Sequence, residues 1–280
     1  MEVLVNKIIK FSNVDGPGNR MAIFLQGCNL NCKYCHNPET INFCNNCGNC
    51  IENCPSNALS FLEGKVIWDN IKCINCDNCI KICDNSSSPK IFKHTIDTLF
   101  EEVLKVKNFI RGITFSGGEC TLNFKFIAKF FSKIKRELPN LTCFIDTNGY
   151  VDFSEKKYSD FLENTDFFML DIKSYIESEH ISLTSKNNIN ILKNLELLMK
   201  LDKLYEVRTV VIENFLNNEK TVEEVSNIIK YKKVKYKLIK FRNIGVKNSE
   251  LESMKSPNDK YMESLRNIAR NIGVEDVLII

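Results

Sequence analysis

The sequence predicts an α/β fold, an open or nearly closed (β/α)6 barrel that is interrupted by a cysteine-rich module. Six apolar runs that end in polar or glycine residues alternate with amphipathic stretches, as parallel strands alternate with helices in βαβ units. Between residues 41 and 92 the apolar content falls, and cysteine, asparagine and short loops take over. We therefore divide the chain into a barrel domain, residues 1–40 and 93–280, and an insert, residues 41–92.

The six predicted strands are short and mostly apolar. In chain order they are 21–27 (MAIFLQG), 112–119 (GITFSGGE), 141–149 (LTCFIDTNG), 166–173 (DFFMLDIK), 205–213 (YEVRTVVIE) and 236–242 (YKLIKFR). The predicted helices are 95–107, 123–137, 154–163, 189–201 and 221–230. Polar residues cluster at the carboxyl ends of the strands, and parallel α/β folds carry their functional sites at that edge.

Composition excludes several classes of function. The chain has 280 residues, of which 44% are hydrophobic, enough for a sizeable core. A net charge of +3, from 38 basic and 35 acidic residues, gives no field that would attract nucleic acid, and the basic run at 230–240 is typical of a solvated face. No apolar run approaches the roughly twenty residues of a membrane span, and MEVLVNKIIKF lacks the features of a secretion signal. We expect a cytoplasmic monomer that binds neither nucleic acid nor membrane.

The chain contains 13 cysteines, and eleven of them lie between residues 28 and 83. In a reducing cytosol, clustered C-x2-C units favour metal ligation over disulfides. The first set, Cys28, Cys32 and Cys35, reads C-x3-C-x2-C and offers three thiolates. This spacing leaves two kinds of site open: a zinc site completed by His36, or a 4Fe–4S cluster with one iron free to bind a substrate.

The insert carries the pattern C-x2-C-x2-C-x3-C twice, which is the ferredoxin pattern for two 4Fe–4S clusters. The fourth cysteine of each run ligates the other cluster in that pattern. The first cluster is therefore expected at Cys44, Cys47, Cys50 and Cys83, and the second at Cys54, Cys73, Cys76 and Cys79. Pro55 follows the first run as usual, whereas Asp84 follows the second. The linker at 56–72 predicts a short helix and a hairpin, and a pair of four-thiolate zinc sites is the alternative to the clusters.

Several motifs occur in order along most of the chain: VDGPGNR at 14–20, GCNLNCKYCHNPET at 27–40, SGGE at 116–119, DTNG at 146–149 and DIK at 171–173. The C-x3-C-x-aromatic-C signature resembles that of radical S-adenosylmethionine (SAM) enzymes, with Tyr34 as the aromatic residue. Together the motifs resemble the activating enzymes of glycyl radical enzymes. NKIIKFSNVDGPGNR, GITFSGGE and KLIKFRNIGV are most similar to the YjjW-type subgroup.

The resemblance implies an oxidoreductase that cleaves SAM reductively to a 5′-deoxyadenosyl radical. That radical takes a hydrogen atom from a backbone glycine of a partner glycyl radical enzyme. The resemblance favours a cluster over zinc at Cys28, Cys32 and Cys35, which become the catalytic centre. It implies three 4Fe–4S clusters in all, SAM as the second cofactor, and a reduced flavodoxin or ferredoxin as the electron donor.

The family's site residues can be placed on matching positions of this sequence. Contacts to SAM are implied for Tyr34, Asn37, Gly117, Gly118, Glu119, Asp146, Asp171 and Lys173. A monovalent cation beside SAM is implied at the side chains of Asp146, Thr147 and Asp171 and the backbone carbonyl of Met169. RTVVIEN keeps Arg208 but lacks the Pro-Gly of relatives, and Arg242 replaces a SAM-contacting histidine of some relatives. We expect both arginines to contact SAM or the glycyl loop, with plain surface roles as the alternative.

Two other functions stay open. One is a radical SAM enzyme that acts on a small molecule, and the other is an iron–sulfur protein that transfers electrons or senses redox state without turnover. Outside the motifs, Cys120 and Cys143 are expected to pack in the core. His94 and His180 are expected to lie at the surface.

Overall fold

The computed structural model describes residues 1–243, 246 and 249–280, so residues 244 and 245 of the KLIKFRNIGV motif lie outside the described residues. Its strands are β1 (Glu2–Ser12), β2 (Arg20–Leu25), β3 (Leu59–Leu62), β4 (Lys65–Trp68), β5 (Phe92–Thr95), β6 (Gly112–Gly117), β7 (Thr142–Thr147), β8 (Phe167–Asp171), β9 (Leu204–Val211), β10 (Lys235–Lys240) and β11 (Val277–Ile279). Its helices are α1 (Asn78–Lys81), α2 (Ile96–Leu104), α3 (Phe124–Glu137), α4 (Ser159–Asn164), α5 (Glu177–Thr184), α6 (Ile189–Lys200), α7 (Asn218–Ile229), α8 (Ser249–Glu252) and α9 (Asp259–Ile272).

Nine strands form one mixed sheet in the order β11-β10-β9-β8-β7-β6-β2-β1-β5. Each neighbouring pair from β2–β6 to β10–β11 is parallel. The six predicted strands are therefore all present and parallel, and the prediction of an α/β fold is confirmed. The strand order has two ends, at β11 and β5, so the barrel is open.

β1 and β5 are not among the predicted elements. β1 pairs antiparallel with β2 on one side and with β5 on the other, where Glu2 lies opposite Thr95. Because the whole insert separates these partners in sequence, no local pattern indicates their pairing. The helix expected at 95–107 is observed as α2 and begins one residue later, because Thr95 is its N-cap in a capping box with Thr98.

The two faces of the sheet have different chemistry, because successive side chains of a strand point to opposite faces. One face packs against the helices, where the rings of Phe130 and Phe131 on α3 lie 5.5 and 5.4 Å from the ring of Phe115 on β6. The other face lines the barrel interior and carries polar side chains joined by hydrogen bonds. These are Arg20, Thr114, Ser116, Asp146, Glu206 and Arg208.

The residues of the predicted insert contribute a second, smaller sheet. β3 and β4 pair as an antiparallel hairpin in a sheet of their own. The predicted hairpin is therefore present, whereas the short helix α1 lies at Asn78–Lys81 instead of within 56–72. No helix in the described part of the chain combines the length and apolarity that crossing a bilayer requires.

Candidate active site

A cavity of about 270 Å³ lies at the carboxyl ends of the parallel strands, beneath the cysteine loop that follows β2. Its wall brings together most of the residues predicted for the cluster and SAM. They are Cys28, Cys32, Tyr34, Cys35, Asn37, Gly117, Gly118, Glu119, Asp146, Thr147, Asp171, Lys173 and Arg208. Two predicted residues do not line this cavity. Met169 is buried next to Arg208, and Arg242 is exposed.

The cysteine loop is closed at its base by main-chain hydrogen bonds. The Gly27 N–H donates to Thr40 O and the Cys28 N–H donates to Ile41 O, both at 2.9 Å. Residues 28–41 therefore form a loop whose two ends lie side by side. This closure holds the three cysteines on one wall of the cavity although most of the loop is irregular.

Burial controls the chemistry of these thiols. It raises the pKa of Cys28 to about 12, with Glu119 adding to the rise, and raises the pKa of Cys35 to about 11. A positively charged metal centre would therefore be needed to convert the thiols to thiolates. Among residues 1–243, 246 and 249–280, no three His, Cys, Asp or Glu side chains are arranged to hold a single metal ion. The Nε2 atom of His36, the alternative zinc ligand, lies 3.1 Å from the carbonyl oxygen of Arg242.

Glu119 joins the SGGE corner to the DTNG corner. Its carboxylate accepts hydrogen bonds from the Thr121 N–H at 3.0 Å and from the hydroxyls of Thr121 and Thr147 at 2.5 and 2.7 Å. It also accepts the Asn148 N–H at 2.8 Å. Burial raises the pKa of Glu119, although these hydrogen bonds act to lower it. Oε2 accepts only one of the four bonds among the described residues and keeps room for a further donor.

A chain of alternating charges crosses the barrel interior next to the cavity. Arg208 donates to Asp146 at 2.9 Å and to Glu206 at 2.5 Å, and Lys237 lies 2.8 Å from Glu206. Burial raises the pKa of Asp146 to about 6, although Arg208 opposes the rise. The Lys237 side chain is only 12% exposed. The expectation that the basic run at 230–240 is a solvated face is therefore wrong at this residue.

Lys173 forms the third side of the cavity. Its ammonium nitrogen lies 2.6 Å from Asp171 and 5.6 Å from the centre of the Tyr34 ring. Burial alone would lower the pKa of Lys173, but Asp171, Tyr34 and Cys32 outweigh it and the pKa lies well above its ordinary value. The cavity therefore offers a fixed positive charge beside the predicted cluster ligands.

The two glycines of SGGE allow the end of β6 to sit against the cysteine loop. A Cβ atom on Gly118 would lie 2.3 Å from Gly27 O and 2.5 Å from Thr40 O. A Cβ atom on Gly117 would lie 2.2 Å from the backbone nitrogen of Leu25. Side chains are excluded at both positions because neighbouring main chain fills the space, before any ligand is considered.

The eight cysteines of the insert fall into two groups. A cavity of about 180 Å³ is lined by Cys44, Cys47, Cys50 and Cys83, together with Cys79. A smaller cavity of about 20 Å³ is lined by Cys54, Cys73, Cys76 and Cys79. The structure thus brings together the two crossed sets of four that the repeat predicts, and Cys79 faces both cavities.

Some residues that hold the site are not among the predicted ones. The side-chain amide of Asn148 donates to Asn29 at 2.9 Å and lies 3.8 Å from the sulfur of Cys28. Asn148 belongs to the DTNG motif, which is a signal for it. Gln26 donates to Glu39 O at 2.8 Å and to Asn42 O at 2.6 Å, and no sequence pattern marks this buried glutamine.

The remaining sequence predictions concern the burial of two cysteines and two histidines outside the motifs. Cys120 and Cys143 are fully buried, as predicted. His94 is half-buried. His180 is fully buried on α5, so the expectation that it lies at the surface is wrong.

The sequence profile of the Radical SAM superfamily matches residues 22–231 of this chain, which include the cysteine loop and the ends of β6 to β9. The chain belongs to the radical SAM superfamily. A Haemophilus influenzae protein, provisionally named a glycyl-radical enzyme activating enzyme, is 29% identical over 99% of this radical SAM chain and 97% of its own length. The trans-4-hydroxy-L-proline dehydratase activating enzyme of Clostridioides difficile is 33% identical, over 83% of this chain and 81% of its own. The crystal structure of QueE from Escherichia coli shares the fold, with a TM-score of 0.55 at 14% identity over 100% of this chain and 94% of its own.

These relatives confirm the prediction that this radical SAM protein is an oxidoreductase of the glycyl radical enzyme activating class. The cavity fits the two groups that the radical SAM superfamily implies, a 4Fe–4S cluster and SAM. Its wall supplies three thiols for the cluster, and SAM brings a carboxylate and an ammonium group. Lys173 and Arg208 can face the carboxylate, and the Oε2 atom of Glu119 can accept from the ammonium group.

Proposed function

We propose that this radical SAM enzyme places a radical on a backbone glycine of a partner glycyl radical enzyme in the cytoplasm. One observation carries the proposal: the three cysteines, Glu119 and Lys173 line a single cavity at the carboxyl edge of the sheet. The cluster and SAM together would supply the deoxyadenosyl radical that takes the glycine hydrogen. The residues of this chain bind and orient the reactants and exclude water from them.

The proposed ligands are those that the sequence predicts. Cys28, Cys32 and Cys35 hold the SAM cluster, which leaves one iron without a protein ligand. Contacts to SAM come from Tyr34, Asn37, Gly117, Gly118, Glu119, Asp146, Asp171 and Lys173. Arg208 is also proposed to contact SAM, because it lines the cavity and its guanidinium is held in place by Asp146 and Glu206. Arg242 is exposed and its carbonyl oxygen lies by His36, so its side chain is suited to the partner's glycyl loop at the rim.

We also propose the monovalent cation at Asp146, Thr147, Asp171 and the Met169 carbonyl. Asp146 and Asp171 lie on adjacent strands, and the side-chain hydrogen bonds of both residues in the described part of the chain are made through Oδ2. Arg208 and Lys173 already neutralise these carboxylates in part. SAM affinity that is equal in potassium and in tetramethylammonium chloride would contradict this cation site.

The insert is proposed to hold two further clusters of the ferredoxin type. Cys44, Cys47, Cys50 and Cys83 would ligate the inner cluster, and Cys54, Cys73, Cys76 and Cys79 the outer cluster. The grouping of these cysteines around two cavities supports the assignment. With this insert the enzyme would be a monomer of the YjjW-type subgroup that receives electrons from a reduced flavodoxin or ferredoxin.

The decisive experiment uses the full chain, reconstituted anaerobically with iron and sulfide and reduced with dithionite. With SAM and a glycyl radical enzyme that co-purifies with it, we expect deoxyadenosine and a glycyl doublet in the EPR spectrum of the partner. Cys32→Ala should abolish both products, whereas Cys143→Ala, a matched change in the core, should retain them. Deoxyadenosine without a glycyl doublet would favour a small-molecule substrate. Neither product from wild-type protein would favour the electron-transfer alternative.

A further inference from the structure

Asn148 contacts two separate parts of the site. Its main-chain N–H donates to Glu119 Oε2 at 2.8 Å, and its side-chain amide donates to the sulfur of Cys28 at 3.8 Å. The residue is only 7% exposed and lines the cavity of about 270 Å³. One asparagine therefore joins the first predicted cluster ligand to the carboxylate that can accept from the ammonium group of SAM.

The side-chain amide of Asn148 is held in one orientation. Its oxygen accepts the Tyr150 N–H at 3.0 Å, and a reversed amide would set an N–H group against that donor. The nitrogen therefore points the other way, where one N–H group donates to Asn29 Oδ1 at 2.9 Å. The second N–H group is left for the Cys28 sulfur. Contacts within the protein thus fix a donor at this sulfur.

Negative charge makes a donor at Cys28 important. Burial and, after it, the Glu119 carboxylate raise the pKa of the Cys28 thiol to about 12. A reduced iron–sulfur cluster carries one more negative charge than its oxidised form, and N–H groups that donate to its sulfurs stabilise that charge and raise the reduction potential. Cys28 has two such donors, the Asn148 amide and the Leu30 N–H at 3.5 Å. Only the amide can be removed by a substitution, because the other donor is main chain.

We propose that Asn148 is a positioning residue for the SAM cluster, in which its amide donates to the Cys28 ligand and raises the reduction potential of the cluster. The inference rests on the proposed function, which makes Cys28 a cluster ligand. One electron from a protein of the flavodoxin or ferredoxin class enters the cluster in this step. No bond or proton changes at Asn148.

The test is a redox titration of reconstituted full-length protein in the absence of SAM, followed by EPR. The spectrum of Cys32→Ala, which lacks a ligand of the SAM cluster, is subtracted at each potential so that the remaining signal belongs to that cluster. Asn148→Ser keeps an oxygen for the Tyr150 N–H, but its shorter side chain leaves the Cys28 sulfur without this donor. We expect the equilibrium constant for reduction to fall at least about threefold, or about 28 mV for one electron. A smaller fall would overturn the inference.

The matched control is Asn194→Ser. Asn194 is 1% exposed, and its amide donates to Gly149 O at 2.8 Å and to Val151 O at 2.5 Å, so it holds the same loop from α6 without donating to a cysteine in the described part of the chain. Urea unfolding should show a less stable protein, whereas the reduction constant should change by less than about threefold. Equal falls in the two variants would overturn the inference, because disturbance of the loop would then set the potential.

Asn29→Ala is a second variant, which leaves the Asn148 amide in place and removes the oxygen that orients it. The reduction constant should fall in the wild-type background and should not fall further in the Asn148→Ser background, because both changes act through one hydrogen bond. No fall in Asn29→Ala, or an equal fall in both backgrounds, would overturn the inference. This variant serves even where Asn148→Ser assembles no cluster.

A direct contact with SAM is the competing role for Asn148, since the residue lines the cavity. That role predicts a weaker SAM affinity in Asn148→Ser with an unchanged reduction constant in SAM-free protein, and this result would overturn the inference. The proposed function is tested separately by the wild-type protein. Wild-type protein that yields no deoxyadenosine from SAM with dithionite would overturn the proposed function itself.

Discussion

Arg20 shows how much a single residue of the VDGPGNR motif contributes to the barrel. Its guanidinium is fully buried and donates to the Thr114 and Thr142 hydroxyls at 2.9 and 2.8 Å and to the carbonyl oxygens of Ile113 and Thr142 at 2.9 and 3.0 Å. The group also lies 4.1 Å from the centre of the Phe144 ring. Burial lowers the pKa of Arg20 to about 10, so the group remains charged at neutral pH. The planar guanidinium of Arg20 therefore links β2 to both β6 and β7.

Arg20→Lys should destabilise the protein strongly. A lysine cannot reach the same spread of acceptors, and at least one buried hydroxyl or carbonyl group loses its partner. We expect the free energy of unfolding to fall by about 3 kcal/mol. Urea unfolding followed by circular dichroism measures it. The control is Arg111→Lys at an exposed position, which should change the value by no more than about 0.5 kcal/mol. Equal effects of the two changes would mean that the Arg20 hydrogen bonds are energetically unimportant.

His180 is buried because of its place on α5. His180, Leu183 and Thr184 are three and four residues apart, so they share the inner face of this helix, while Ile181 is 46% exposed. Neither ring nitrogen of His180 has a hydrogen-bond partner in the described part of the chain. Burial, with a smaller effect of Lys173, lowers the pKa of His180 to about 4. The folded protein therefore holds this imidazole neutral.

His180→Leu should make the protein less sensitive to acid. Between pH 6.5 and about 4 the unfolded chain binds a proton at His180 that the folded chain does not, so stability is lost as the pH falls through this range. At pH 5 the loss in wild type is about 2 kcal/mol, from about 1.4 kcal/mol per tenfold change in proton affinity. Urea unfolding at pH 8, 6.5 and 5 should give a variant-minus-wild-type difference that grows towards pH 5. His94→Leu, at a half-buried position, is the comparison, and a constant difference for His180→Leu would contradict the argument.

At the scale of single elements, the sequence predicts strand ends better than the contacts between them. SGGE, DTNG and DIK each follow an apolar strand, so the meeting of Glu119, Thr147 and Lys173 at one edge is predictable from the alternation of strands and helices. The pairing of Glu206 with Lys237 is not, because it depends on the register between β9 and β10. α9 has usable signals, with Asn258 as N-cap and Gly273 as C-cap, but it is absent from the predicted helices.

The packing of the β6 end against the cysteine loop predicts the effect of Gly118→Ala. The added methyl group would lie 2.3 and 2.5 Å from the carbonyl oxygens of Gly27 and Thr40, which belong to main chain that cannot move without opening the loop. We expect a loss of about 3 kcal/mol or more in the free energy of unfolding and a lower iron content after reconstitution.

The matched control for Gly118→Ala is Gly64→Ala in the β3–β4 hairpin. A Cβ atom on Gly64 meets nothing within 4 Å, so only its positive φ of 74° opposes the change. The cost should be about 1 kcal/mol, with normal iron content. Normal cluster assembly in Gly118→Ala would mean that the loop tolerates displacement by β6.

At the scale of the whole molecule, the division into barrel and insert stays a prediction that the topology makes testable. The hairpin of the predicted insert belongs to a separate sheet, and the chain enters and leaves the insert at neighbouring residues, because the Asn42 N–H donates to Ser86 O at 3.1 Å. The sequence indicates the insert by its change of composition. It does not indicate that the chain returns through β5 to pair with β1, since that contact joins residues on either side of the insert.

Replacing residues 43–85 with two glycines should therefore leave a folded barrel, because two residues can bridge ends that already share a main-chain hydrogen bond. The barrel core involves β2 and β6 to β10 with their helices, and none of these elements is removed. We expect the midpoint of thermal unfolding to fall by no more than about 5 °C, which corresponds to roughly 1–2 kcal/mol. Iron after reconstitution should fall to about one third, since one of three clusters keeps its ligands. Two glycines inserted after Gly64 are the control, because they disturb the hairpin and leave the hydrogen bond between Asn42 and Ser86 intact. Aggregation of the shortened chain, or a fall of more than about 15 °C with an unaffected control, would mean that the insert is part of the barrel's own core.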